Sequence, residues 1–381
     1  MERERGHRGE RLSGPSTGFA RKPAQEDPRR HPRLLDAIRR VAPGTQLRQG
    51  IDDIIRSHEG ALIVIGEPEA YTFMFSGGIR LDVPFTPQFL YELAKMDGAI
   101  IVAANLSKIA YANVQLMPDP SIPSAETGTR HRTAERVAKQ TGALVISISQ
   151  QRETVTLFVD DLRYQLEPIA DALAKTNQAL STVETYRQRL EQVLTRLTAL
   201  EFQNAVMLDD VLVVVQRAEM TTRMADEVER DIAELGTEGR MIRIQLSELM
   251  EGVLEERRAV VFDYGGDSSR EEILARLADL SYAELLESEL LAEVLGYDRT
   301  VNPLDYAVSP RGYRVLSRIP RLPRRVVESV VGDLEGLEAI VRASRQELEE
   351  VEGVGPARAR EIREGLRRLQ EHNLVDRYLQ L

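Results

Sequence analysis

The chain has 381 residues, 42% of them hydrophobic, and a formal net charge of −11. That length suits two or three domains, each with a buried core. The absence of cysteine excludes disulfides, thiolate metal sites and cysteine nucleophiles. No apolar run approaches the ~18–20 residues of a membrane span, and the Arg-, Gly- and Glu-rich start lacks the apolar stretch of a secretory signal. A cytoplasmic protein without a membrane partner is therefore expected.

Charge is uneven along the chain. Residues 1–33 carry nine Lys and Arg against five acids, and residues 309–381 carry fourteen Arg, no Lys and twelve acids, which leaves the middle near −17. Residues 1–30 show no hydrophobic period and read as a disordered tail. Residues 31–166 then alternate short apolar runs with helical segments. A helix is expected over 34–42, followed by strands at 61–66 and 78–83. Thr86 offers an N-cap and Pro87 an N1 residue for a helix whose apolar face is Phe89, Leu90, Leu93 and Ala94. Further strands are expected at 99–103, 109–116, 143–149 and 154–159. Helices interleaved with strands indicate an α/β domain with a mixed sheet.

The character changes over 167–308. Leu173, Leu180, Val183, Tyr186, Leu190, Leu194 and Leu197 recur at threes and fours through a run free of Gly and Pro, the mark of one long amphipathic helix. Further helices are expected over about 205–234 and 241–257, broken by Gly236 and Gly239, with a linker at 264–273 and two short helices over 270–295. This all-α spacer leads to an all-α segment, 309–381. There "VEGVGPARAREI" (351–362) has the form of a helix-hairpin-helix. Gly353 and Gly355 allow a tight turn around Val354, Pro356 opens the next helix, and Arg358, Arg360 and Arg363 follow on its first turns. Backbone amides at such a turn suit a phosphate oxygen and bind nucleic acid without reading sequence. "RIPRLPRRVV" (318–327) looks like a degenerate first copy in which proline replaces the glycines, so a tandem unit for duplex or branched DNA is expected.

In the α/β region, "GTRHRT" (128–133) places Arg130, His131 and Arg132 between Thr129 and Thr133, with a helix expected to start near Thr133. Guanidinium forks and free amides at a helix start suit a triphosphate. "MDGAI" (96–100) places Asp97 and Gly98 between a helix and a strand. Asp97 could hold a hard cation or a sugar hydroxyl, and Gly98 could let backbone approach a ligand closely; an ordinary turn has the same sequence. The usual glycine-rich nucleotide loops are absent.

Taken jointly, "DGAI", "TRHRT", the helical spacer and the hairpin end resemble the DAC family of diadenylate cyclases, in the form that scans DNA integrity, over about 30–381. The resemblance implies condensation of two ATP into cyclic di-AMP and two pyrophosphates, with Mg2+ or Mn2+ required. It implies a homo-octamer of two rings whose cyclase domains meet in the middle, and regulation by branched DNA at the C-terminal end. The apolar stripes of the spacer fit this by needing partners. Residue by residue, Asp97 would lie by the attacking 3′-hydroxyl and the metal, with Gly98 and Ala99 beside the nucleotide. Leu116 would meet adenine, and Thr129, Arg130, His131, Arg132 and Thr133 would cradle the phosphates. Ser149 would add a phosphate contact. Many relatives carry Arg directly after this serine, where the chain has Gln150. The other expectation is a non-enzymatic, oligomeric DNA-binding scaffold that senses nucleotide. A nuclease is disfavoured because no carboxylates cluster beside the hairpin.

Overall fold

The computed structural model describes residues 27–266 and 269–379. Of the expected tail, residues 1–26 lie outside the described residues, as do Asp267 and Ser268 of the expected linker. Residues 28–30 form a 3-10 turn capped by Asp27, and Arg29 pairs with Asp231 far along the chain.

The first layer of the α/β domain is α1 (Pro32–Arg40), α2 (Gln46–Arg56) and α3 (Pro87–Ala94). The sheet comprises β1 (Ala61–Gly66), β2 (Phe75–Ser76), β3 (Ile79–Pro84), β4 (Ala99–Ala103), β5 (Lys108–Leu116), β6 (Leu144–Ser149), β7 (Thr154–Val159) and β8 (Leu162–Gln165), with α4 (Thr129–Thr141) on its other face. The strand order is β2-β5-β4-β1-β6-β7-β8, with β3 also on β5. β1 runs parallel to β4 and antiparallel to β6. Alternation along β1 explains its continuous apolar sequence. Ala61, Ile63 and Ile65 pack with Leu34, Ile51 and Leu90 of the first layer, while Leu62 and Val64 pack with Ala134, Val137 and Ala138 of α4. Helix α2 is not among the expected elements, although Leu47, Ile51 and Ile54, at i, i+4 and i+7, carry the amphipathic pattern and bury its inner face. Thr86 caps α3 as expected, its hydroxyl accepting from the Phe89 amide at 3.1 Å. Phe89 itself turns outward, 48% exposed, because Leu90 and Ala94 already fill the face against the sheet.

The spacer begins with α5 (Ile169–Gln203), which at 1.5 Å per residue is roughly 50 Å long. It is followed by α6 (Leu208–Leu235), α7 (Arg240–Leu249), α8 (Val253–Tyr264), α9 (Arg270–Asp279) and α10 (Ser288–Val294). The apolar stripe of α5 does not await another protomer. Leu180 and Val183 pack on Val228 and Ile232 of α6, and Leu190, Leu194 and Leu197 on Val211 and Val215 of the same helix. The helix expected over 241–257 is two helices, because Gly252 takes φ 74 between α7 and α8, a conformation that only glycine adopts freely.

The C-terminal unit has α11 (Tyr313–Ser317), α12 (Arg324–Asp333), α13 (Leu337–Arg342), α14 (Arg345–Glu350) and α15 (Pro356–Leu379) around one core. A buried polar network ties it to the spacer. Arg314 and Glu201 pair with neither side chain exposed. Arg314 Nη2 also donates to Thr198 Oγ1 at 2.7 Å, and the Tyr264 hydroxyl donates to Glu201 at 2.8 Å. Asp263 caps α11 by accepting from the amides of Gly312, Tyr313 and Arg314 at 2.7, 2.6 and 2.9 Å. Removing one member of a buried pair strands the other charge. Glu201→Ala is therefore expected to cost about 3–5 kcal/mol. Glu371→Ala, which breaks the exposed Arg367–Glu371 pair, is expected to cost under about 1 kcal/mol. Denaturant titration of both variants checks the contrast; equal costs would contradict it.

Candidate functional sites

Four strands finish level at one end of the sheet. Ala99 pairs with Leu62 of β1 and with Val114 of β5, and Ala61 pairs with Ile148 of β6. Continuing those registers by one or two residues aligns Leu116, Asp97, Gly60 and Ser149 on β5, β4, β1 and β6. At one strand spacing each, Asp97 and Ser149 lie about 10 Å apart. Sequence segments that stand 19 residues or more apart are thus brought to one edge.

Helix α4 delivers its N-terminus to the same edge. It starts at Thr129, not near Thr133, with Gly128 as an N-cap that supplies no side-chain hydrogen bond. Gly128 supplies only its carbonyl, which accepts from the Arg132 amide at 2.9 Å. The basic cluster is therefore the first helical turn itself, and the amides of Thr129, Arg130 and His131 are left without helical partners. Arg130 lies over the sheet end, its Nη1 donating to the Ile148 carbonyl at 3.2 Å. It also covers Gly60, where an added Cβ would lie 2.9 Å from Arg130 Cζ. Gly60 escaped the sequence reading; the only signal was a glycine directly before an apolar strand. Arg132 is exposed and Thr133 half-buried. The Pro-rich loop 117–128 is stitched along α4: Arg136 donates to the Ile122 carbonyl at 2.8 Å, Lys139 to that of Pro123 at 3.1 Å, and Ala125 N–H to Glu135 at 3.1 Å.

The remaining positions differ in what they expose. Asp97 is exposed. Gly98, at φ 106, makes its close approach to the backbone of Asn113, which an added Cβ would meet at 2.8 Å, so this glycine is dictated by strand packing. Ala99 is fully buried, and Leu116 buries its side chain among Tyr71 and Met74, leaving its backbone as the group a ligand could meet. The Ser149 hydroxyl accepts from the Arg152 amide at 3.4 Å, and Gln150 is exposed.

At the C-terminal end, the two hairpins superimpose in kind. The Val354 amide bonds to the Val351 carbonyl at 3.0 Å, and the Leu322 amide to that of Ile319 at 3.3 Å. Gly353 has φ 82 and Arg321 φ 64. The first copy thus puts arginine, not proline, at the left-handed position, since a pyrrolidine ring fixes φ near −65°; its prolines flank that residue. Val354 is buried and anchors the second turn. A Cβ at Gly355 would meet nothing within 4 Å, so the fold itself does not demand glycine there. Arg358 and Arg360 are exposed, and Arg358 Nη1 donates to the Gly353 carbonyl at 2.6 Å.

The His131 ring stands edge-on to Phe158, with centroids 6.4 Å apart. Burial holds its pKa below the ordinary histidine range; Glu126 opposes this, and Arg163, Arg130 and Arg152 reinforce it. The ring is accordingly neutral at pH 7. Its contribution to stability is present above ~6.5 and is lost as pH falls through the folded value. An NMR titration of His131 is expected to show a midpoint below ~6.5; a midpoint at or above that value would contradict this environment.

Residues 48–162 match the family described as DisA bacterial checkpoint controller nucleotide-binding. Residues 166–304 match the DisA bacterial checkpoint controller linker region, and residues 336–365 match the helix-hairpin-helix motif. The DNA integrity scanning protein DisA of Carboxydothermus hydrogenoformans is 48% identical over 89% of this chain and 97% of that protein. The DisA of Acetivibrio thermocellus is 46% identical over 94% and 99%, and that of Streptomyces coelicolor 47% identical over 89% and 92%. The chain belongs to the DisA family of DNA integrity scanning proteins.

Proposed function

We propose that this chain is a diadenylate cyclase that condenses two ATP into cyclic di-AMP and two pyrophosphates, under control of branched DNA held at the C-terminal hairpins. The observation that carries the reading is the alignment of Asp97, Leu116 and Ser149 with the first turn of α4 at one sheet end. The unbonded amides of that turn, with Arg130, Arg132 and the neutral His131, bind the triphosphate and stabilise charge that builds on the leaving pyrophosphate. Thr129, Thr133 and Ser149 add hydroxyl contacts. The backbone of Leu116 reads the adenine edge, and Gly98 and Ala99 shape the floor beside Asp97. Asp97 orients the 3′-hydroxyl. The 3′-oxygen of each ATP attacks the α-phosphorus of the other as pyrophosphate departs, so each phosphodiester formed replaces one phosphoanhydride.

Mg2+ or Mn2+ fits this arrangement as a companion of the substrate. Among the described residues no group of three or more His, Asp or Glu side chains is placed to hold a metal, and Asp97 has no ion-pair partner there. Asp97 and phosphate oxygens would hold the ion, which when bound neutralises phosphate charge and acidifies the hydroxyl.

One chain presents one such edge, so the reaction needs two edges face to face. Phe73, Met96 and Met117, next to the edge, are 69, 45 and 59% exposed, apolar surface that a second copy would cover. We take the assembly to be a homo-octamer in the cytoplasm, two rings with the cyclase domains in the middle. No helix among the described residues is long and apolar enough to cross a membrane. The hairpins sit at the far end of α5, where Gly353, Val354, Gly355, Arg358 and Arg360 offer amides and guanidiniums to a DNA backbone.

Asp97→Asn is expected to abolish cyclic di-AMP formation from ATP with either metal while leaving assembly and DNA binding intact; product at the unmodified rate would sink the assignment. Gly355→Leu, which the fold has room for, is expected to lower affinity for a four-way junction by about tenfold or more, the value of one or two charge-assisted contacts. Cyclase turnover without DNA should be unchanged. Loss of both together would make the turn structural.

A further inference from the structure

A cavity of about 470 Å3 lies where the spacer meets the first hairpin. Helix α8 contributes Glu256, Ala259 and Phe262 to it, and the hairpin unit contributes Arg314, Leu322 and Val327. Its size falls within the ~300–1,000 Å3 of pockets that hold small ligands. The floor is apolar, with Ala259, Phe262 and Val327 all buried. The mouth is polar, with Arg258, Ser317 and Arg324 exposed. The Phe262 ring meets Tyr313 edge-on at 5.8 Å, and the guanidiniums of Arg270 and Arg324 lie 4.6 and 5.7 Å from its centre. Arg324 is 70% exposed and pairs with Glu328 one turn along the same helix. Such an exposed pair is weak, so Arg324 can move aside for a flat ring that stacks on Phe262.

An unmet donor stands beside an unmet acceptor among the residues that line the cavity. Arg314 Nη1 and Glu256 Oε2 are buried, and among the described residues neither has a hydrogen-bond partner. They are 3.6 Å apart, too far to satisfy each other, and Arg318 holds the other oxygen of Glu256 at 2.8 Å. A buried polar group left unpaired is costly. A ligand edge with an acceptor next to a donor satisfies both at once: its ring nitrogen accepts from Arg314 and its amino group donates to Glu256. Adenine and cytosine carry such an edge, on flat rings that stack on aromatic and guanidinium groups.

The cavity's position identifies the source of such a base. The first hairpin turn runs from Arg318 to Leu322, both of which line the cavity, and Arg321, Arg324 and Arg325 at this turn are exposed. A strand whose phosphates lie on these guanidiniums has its bases beside the cavity mouth. We propose that the cavity captures an unpaired nucleobase of DNA held at the first hairpin, stacking it on Phe262 and pairing its edge with Arg314 and Glu256. The proposal rests on the reading of the C-terminal unit as DNA-binding. It also gives that unit a means to prefer branched DNA, because a base already out of the duplex enters without the cost of unpairing.

The test compares a duplex that carries one extrahelical 2-aminopurine, a fluorescent base with a ring nitrogen beside an amino group, with a fully paired duplex of the same length. The full chain is expected to bind the first at least about fivefold more tightly, the low end for one stacked base, and to shield its fluorescence from acrylamide. Ser317→Trp, which fills the mouth, should abolish the preference and the shielding while leaving affinity for the paired duplex unchanged; Ser317→Ala should keep both. Glu255→Trp, at the same mouth on the spacer side, should repeat the loss by an independent route. Equal affinity for the two duplexes without shielding overturns the proposal and leaves the DNA reading standing, whereas binding of neither duplex overturns both. Preference and shielding that survive in both tryptophan variants overturn the assignment to this cavity. Free 2-aminopurine riboside monophosphate shielded as strongly, with the shielding lost in Ser317→Trp, assigns the cavity to a soluble nucleotide and overturns the DNA-borne base.

Discussion

The pairing of β1, parallel to β4 on one side and antiparallel to β6 on the other, is the constraint on which everything else depends. It sets the start of two strands beside the end of a third, and β5 returns antiparallel to close the row. Segments far apart in sequence, around residues 60, 97, 116 and 149, thereby share one edge. Because both faces of this sheet are covered by helices, its inward side chains are apolar apart from Ser147 and Thr156, and charged groups gather at that edge. Helix α4 then adds what strands cannot: free amides and two guanidiniums aimed at one place.

Stability and signalling meet at the other end of the spacer. Helix α5 starts directly after β8 and ends at the buried Glu201, which pairs with Arg314 of the hairpin unit. The α/β domain is joined to the same spacer through Glu234, which accepts from the Tyr164 hydroxyl of β8, and through Thr237 N–H to the Pro43 carbonyl at 3.0 Å. Helix α5 thus spans roughly 50 Å between the α/β domain and the buried Arg314–Glu201 pair. Under the proposed function, displacement of the hairpins by bound DNA would reach the cyclase edge through this helix as a change in how two such edges face.

Much of this could be read from the residues alone. The strands at 61–66 and 99–103 are continuous apolar runs, the mark of strands covered on both faces, and the strand expected over 143–149 adds only Ser147 and Ser149 to such a run. The long stripe from Leu173 to Leu197 could only be a helix, and Thr86-Pro87 fixed the start of α3. What escaped had weak local signals. Helix α2 is an exception, since Thr45 as N-cap and Leu47, Ile51, Ile54 and Ile55 at i, i+4, i+7 and i+8 carry the amphipathic pattern. The start of α4 was misplaced because Arg, His and Arg are unremarkable both in a loop and in a first turn; only the hydrogen bond from Arg132 N–H to Gly128 decides it. Gly98 is required by its own φ of 106 and by the nearby backbone of Asn113 on β5, which the sequence does not show. The apolar stripe of α5 was read as needing another chain, but α6, which lies next in sequence, covers it.

Under the proposed function, two cyclase edges must meet for turnover. The direct measurement is the rate of cyclic di-AMP formation per chain as the assembled protein is diluted, with light scattering to follow its mass. The account predicts that the rate per chain falls in step with loss of the assembly and is nil for isolated chains. An undiminished rate per chain from protein that scatters as a monomer would contradict it.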